Sequence, residues 1–313
     1  MRRQLHVLVA GSLLCPVLSV ARPALARPAL APPRTAEGRP DLQGFWYFGT
    51  ATPLERPREF ADKVFLTPEE AADFERRTAE RQSAAIAVQP SEWLDYGKHV
   101  GPDRRTSLIV DPPDGRMPPL TEEGRRKAAM RRAIGPELAD NPEDRSNTER
   151  CLVFGAGPPL TPGPYNNNLQ IVQTPAAIVV MTEMIHDARI VPLDGRPRLP
   201  AGIRRWLGAS RGHWQGDTLV VETTNFTEST TVRGSDENLR VVERFTLAGP
   251  DAMRYEYTID NPAVFTRPWT AAFTLTRTAE PMFEFACHEG NQAMEHIMRG
   301  ARQQERTASP QPR

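Results

Sequence analysis

The chain has 313 residues, of which 39% are apolar and 25% charged, and its formal net charge is zero. That composition excludes a disordered chain or a membrane-embedded bundle, and without a basic stripe it argues against nucleic acid as a partner. The length suits one large domain or one domain with insertions, and the 31 prolines forecast long irregular connections in the N-terminal half.

The first element is a secretory signal. Arg2 and Arg3 precede an apolar run from Val7 to about Val20, followed by the small-residue cleavage sites Ala24-Leu25-Ala26 and Ala29-Leu30-Ala31. The run is too short to span a bilayer. Cleavage after Ala26 leaves a mildly acidic product, periplasmic or secreted, with no membrane span. Cys15 leaves with the signal, so Cys151 and Cys287 remain as a candidate disulfide in an oxidising compartment. The competing reading is two separate buried thiols.

Residues 38–57 open the mature domain with a strand-like run through Leu42, Phe45, Trp46 and Phe48, expected to plug a barrel or join its edge. A helix follows over 66–87, N-capped by Thr67 with Pro68 in its first turn. Residues 107–110 read as a short strand, then a Pro-Pro-Asp-Gly turn leads to a second charged helix capped by Thr121. From Leu169 the texture changes to about eight strand-like runs, ending with MFEFACHEG, and a short helical piece over 199–208. Regular strands with short turns predict a mainly β fold, an antiparallel meander closing into a barrel or sandwich. A short helix from Asn291 runs into a polar tail. The expected organisation is a signal over 1–26, a Pro-rich, partly helical wrap over 27–164, a β core over 165–298 and a tail over 299–313.

The run "LQGFW" ahead of an antiparallel meander resembles the Gly-x-Trp opening of lipocalin-like (calycin) barrels. Along most of the mature chain the sequence also resembles a family of exported bacterial proteins of unassigned function. The motifs that carry this are "RRTSLIVDPPDGR", "PGPYNNNLQIVQTP", "EMIHDARIVPLDGRP", "HWQGDTLVVETTNF" and "ACHEGN". That resemblance implies export and no particular chemistry.

Candidate site residues come from polar groups that interrupt apolar faces. Strand alternation over 179–191 places Glu183, Asp187 and Arg189 on one face and His186 on the other, more apolar one. Glu222 falls with Val220 and Thr224, and Glu243 with Val241 and Phe245, so each carboxylate needs a partner such as Arg189, Arg205 or Arg244. The functional reading is a barrel or cleft in which His186, Glu222 and Glu243 do acid–base chemistry. Glu183 and Arg189 would contact the ligand, with the Asn166-Asn167-Asn168 run, Trp214 and the 287–291 segment, including His288 and Glu289, at the mouth. Each also has a structural reading: Asn runs make turns, core Glu residues pair with Arg, and lone His residues are hydrogen-bonded core groups.

No zinc-type spacing, nucleophile elbow or phosphate loop is present, so no metal and no cofactor are expected. The expectation is an exported small-molecule-binding barrel, with acid–base catalysis on a small polar or aromatic substrate left open. A non-catalytic envelope structural or interaction protein and a metal-dependent enzyme are the alternatives.

Overall fold

A computed structural model describes residues 31–85, 97–134, 139–153, 157–228, 232, 234–287 and 289–307. The expected signal peptide, 1–26, lies outside the described residues. In chain order the elements are β1 (Gly44–Tyr47), α1 (Pro68–Ala85), β2 (Ile109–Asp111), α2 (Glu122–Ile134), β3 (Asn168–Gln173), β4 (Ala177–Thr182) and β5 (Ala188–Pro192). Then come β6 (Ala209–Gln215), β7 (Thr218–Thr224), β8 (Arg240–Leu247), β9 (Ala252–Asp260), β10 (Trp269–Arg277) and α3 (Ala293–Thr307). Nine antiparallel strands run in the order β5-β4-β3-β1-β10-β9-β8-β7-β6, with β2 added on β10. The end strands β5 and β6 come side by side, so the sheet is a nearly closed barrel.

Alternation fixes what points inward. Val241, Glu243 and Phe245 of β8, and Met253, Tyr255 and Tyr257 of β9, are all buried. Phe245 and Tyr255 lie opposite each other across the β8–β9 pair, as Tyr255 and Phe273 do across β9–β10. Tyr255 is the hub of the core, with ring centroids 4.9 Å from Phe245, 5.1 Å from Phe273 and 5.8 Å from Tyr257. Side chains fill this interior as in small barrels.

Four sequence expectations change. The Gly44–Tyr47 strand neither plugs the barrel nor joins its edge. It lies between β3 and β10, because Trp46 is wholly buried and its indole N–H donates to the Leu42 carbonyl at 2.9 Å. The run 179–191 is not one strand. It breaks into β4 and β5 at a 3-10 turn over Met184–His186, where Ile185 has φ of 61°. The run MFEFACHEG forms no strand among its described residues. The predicted helical piece at 199–208 is irregular, and β6, absent from the sequence reading, follows it. Both N-terminal caps are present: Thr67 Oγ1 accepts from Glu70 N–H at 3.2 Å, and Thr121 Oγ1 from Gly124 N–H at 2.9 Å.

Cys151 and Cys287 form a disulfide across a sequence separation of 136. It joins the segment between β2 and β3 to the segment after β10. No described helix is long and apolar enough to cross a membrane.

Candidate functional site

The residues marked by the sequence do not share one chamber. Glu243 is sealed in the core and Arg189, nearly as buried, is its partner. One guanidinium nitrogen pairs with Oε2 and the other donates to Oε1 at 3.0 Å. The Tyr255 hydroxyl donates to the same Oε1 at 2.8 Å and accepts from Leu160 N–H at 2.9 Å. Burial works against the charge on Arg189, but the Glu243 carboxylate outweighs it and holds the guanidinium above its ordinary pKa. Burial, with the Glu243 charge beside it, pushes the Tyr255 phenol well above its ordinary value. This is a satisfied network, with the arginine one of the three partners the sequence allowed.

Glu222 sits on the opposite face of the sheet. It pairs in register with Arg211 and Val242, whereas Glu243 pairs with Val221. Its carboxylate binds Arg198 and Arg240. Partial burial would raise its pKa, yet those two arginines outweigh burial and hold it below the ordinary value. The expected convergence of Glu222 and Glu243 in one lumen is therefore corrected: odd and even positions of neighbouring strands send them to opposite sides.

The proposed mouth is knitted into the chain. Asn167 exchanges two hydrogen bonds with the Gly163 backbone, at 2.8 and 2.9 Å. Asn168 Nδ2 donates to Glu183 at 2.6 Å, and the other Glu183 oxygen accepts from Phe283 N–H at 3.0 Å. Glu183 thus fastens the C-terminal segment to the barrel end. Asn166 occupies a left-handed turn, with φ of 54°. Trp214 is half-buried with Arg39 over its ring, and Glu289 lies in an exposed turn. The His186 side chain and all of His288 lie outside the described residues. Among the described residues, no three His, Cys, Asp or Glu side chains are placed to hold a metal.

The open chemistry lies at the barrel seam. Among the described residues, no strand pairs with the outer edge of β5 or of β6. On β5, Thr182 N–H donates to Asp187 O at 3.0 Å and Leu193 N–H to Ala176 O at 2.8 Å. That phase turns the amides and carbonyls of Ala188 and Ile190 away from β4, toward the seam. At one end the seam is closed by side chains: a Cβ at Gly212 would meet Leu193 and Val191 atoms at 2.8 and 2.9 Å. At the other end it opens into a cleft of about 530 Å³, within the range of small-molecule sites.

Residues 193–208, the connection from β5 to β6, roof this cleft as a strap. Asn225 Nδ2 donates to the carbonyls of Pro200 and Ile203 at 2.9 and 3.0 Å, and Arg204 to those of Glu237 and Phe226 at 2.8 and 3.1 Å. Ile190, Pro192, Leu199 and Leu207 supply apolar wall, and Arg205 and Arg211 line the cleft with cations. Arg196 is committed to Asp194, whose carboxyl it holds down at about 2. Arg205 and Arg211 have no carboxylate within ion-pair distance among the described residues; Arg211 donates instead to the Arg196 carbonyl at 3.0 Å. The arrangement is suited to holding an oxyanion against an apolar wall.

The sequence reading missed Arg196, Arg198 and Arg211 and weighed Arg205 only as a carboxylate partner. The signal was there: Gly195–Gly216 contains five arginines and no Asp or Glu, in a chain that is neutral overall. Compared with protein-family models, curated proteins and solved structures, the chain matches none.

Proposed function

We propose that this is an exported barrel protein that binds a small organic anion in the seam cleft. One observation carries the reading: two guanidiniums with no carboxylate at ion-pair distance among the described residues, Arg205 and Arg211, line a cleft with an apolar wall. Forked guanidinium donors suit carboxylates, and the apolar wall suits the body of an organic acid. The signal-like start and the disulfide support export, and the lipocalin-like character of the sequence supports a ligand carrier. Binding is favoured over turnover, because the one carboxylate lining the cleft among the described residues, Glu222, is held anionic by two arginines and makes a poor proton donor near neutral pH.

The test is calorimetric titration of the mature protein with decanoate, benzoate and citrate. At least one should bind, and Arg205→Gln and Arg211→Gln should each weaken it about tenfold or more, as expected for loss of a charge-assisted contact. Arg267→Gln, which alters an exposed pair with Asp111 on β2, should leave affinity unchanged. Binding that ignores Arg205 and Arg211, or no binding of any of the three, would refute the site.

A further inference from the structure

The seam cleft does not end at the strap. A second cleft, about 710 Å³, lies over the outer face of β6, β7 and β8, and it shares Pro192, Arg196, Arg198, Arg211 and Glu222 with the first. The Arg198–Glu222 pair therefore stands between two halves of one groove. The second half contains another guanidinium with no carboxylate at ion-pair distance among the described residues, Arg244, which donates to Gln215 Oε1 at 2.8 Å. Val220 and Val242 give it an apolar floor.

Three guanidiniums with no carboxylate at ion-pair distance among the described residues thus line one groove: Arg205 in the first half, Arg211 at the shared wall and Arg244 in the second. Glu222 lies opposite Arg211 and Glu256 opposite Arg244 in the ladders, but these carboxylates pair with Arg198 and Arg240 and with Arg254. Arg205 is bonded at Asn225, and Arg244 lies opposite Val220. At about 3.3 Å per residue along β7, those backbone positions are roughly 16 Å apart. A compact monoanion reaches one end only, and the remaining like charges then stay unscreened in a partly enclosed groove. Resting on the anion-binding reading above, we infer that the ligand is a linear α,ω-dicarboxylic acid, or a longer chain of that type, lying across the shared wall. One carboxylate meets Arg205, the other meets Arg244, and the hydrocarbon body covers Pro192, Val220 and Val242.

The experiment titrates the mature protein with dodecanedioate and with dodecanoate below its micelle concentration, using wild type, Arg244→Gln and Arg205→Gln. All three proteins should melt alike, since neither arginine packs in the core. In the wild type the diacid should bind at least about tenfold tighter than the monoacid, the scale of one additional charge-assisted contact. Arg244→Gln should erase that advantage while leaving dodecanoate affinity unchanged, and Arg205→Gln should weaken both acids. Equal affinity for the two acids, or an advantage that survives Arg244→Gln, overturns the two-ended ligand and leaves the anion site standing. Failure of both acids to bind overturns the two readings together.

Discussion

Glu243 has no exposed surface, and its charge is tolerated because Arg189 and Tyr255 supply three hydrogen bonds to its two oxygens. Breaking such a pair by removing one partner strands a buried charge, so Glu243→Gln should destabilise the fold by about 3–5 kcal/mol. Tyr255→Phe should cost about 1–3 kcal/mol, since it leaves the Leu160 N–H without an acceptor. The joint replacement Arg189→Met with Glu243→Leu should cost less than Glu243→Gln alone, because both charges go together. Urea denaturation of the four proteins checks this order, and a joint variant worse than Glu243→Gln would contradict it. At this scale the sequence was informative about need but not about place. It showed that Glu243 required a partner and that Arg189 was eligible. It did not show that Glu222 points the other way, because burial on a strand depends on which neighbours the sheet brings to each face.

Of the elements that departed from their sequence signals, the 199–208 piece and β6 line the candidate site. Glu183 to Asp187 read as strand because Met184 and Ile185 are apolar, yet the chain turns there, with Glu183 bound to Asn168 and to the Phe283 amide. Strand β6 reads poorly because "ASRGHWQ" has little β propensity. It forms because the Gly216-Asp217 turn folds it back on β7 and because Gly212 admits Leu193 and Val191. The strong runs β7 to β10 were legible: β8 and β9 alternate cleanly over eight and nine residues, and β7 and β10 are apolar and Thr-rich runs of seven and nine. The strap has no periodic signal; side chains of the barrel hold it. Glu222 is one of its fasteners, through Arg198. A carboxyl depressed in the folded state stabilises fully above its unfolded value and loses that contribution as pH falls through the folded value. Acidification below about pH 4, the ordinary carboxyl range, should therefore loosen residues 196–206 while the barrel strands stay protected. Hydrogen exchange corrected for intrinsic rates would show it, and Glu222→Gln should reproduce the loosening at pH 7. Equal strap protection at pH 3 and pH 6 would mean that Asn225 and Arg204 suffice.

For the whole molecule, one covalent link encloses the barrel. Cys151 precedes β3 and Cys287 follows β10, so the disulfide encircles eight of the nine barrel strands. Closing a loop with a separation of 136 restricts the unfolded chain by about 5 kcal/mol on the chain-entropy account. The pairing was legible as the two cysteines left once the N-terminal run is read as a signal, but the open seam was not, since closure depends on how all the strands sum around the barrel. The seam also explains why the link matters. A barrel whose end strands β5 and β6 share no ladder hydrogen bonds among the described residues can splay there, and the segment after β10 has ties to the barrel besides the disulfide. Glu183 at the Phe283 amide and Tyr165 stacked on Phe285 at 6.3 Å are among them. Replacing both cysteines with serine should lower the unfolding free energy by about 3–5 kcal/mol, less than the full entropic value if the unfolded chain keeps structure. The urea midpoint should fall, and chymotrypsin should cut the 278–291 segment, at Phe283 or Phe285, before the barrel. A loss under about 1 kcal/mol, with that segment still protected, would transfer the fastening role to Glu183. Glu183→Gln in the cysteine-free protein should then release the segment.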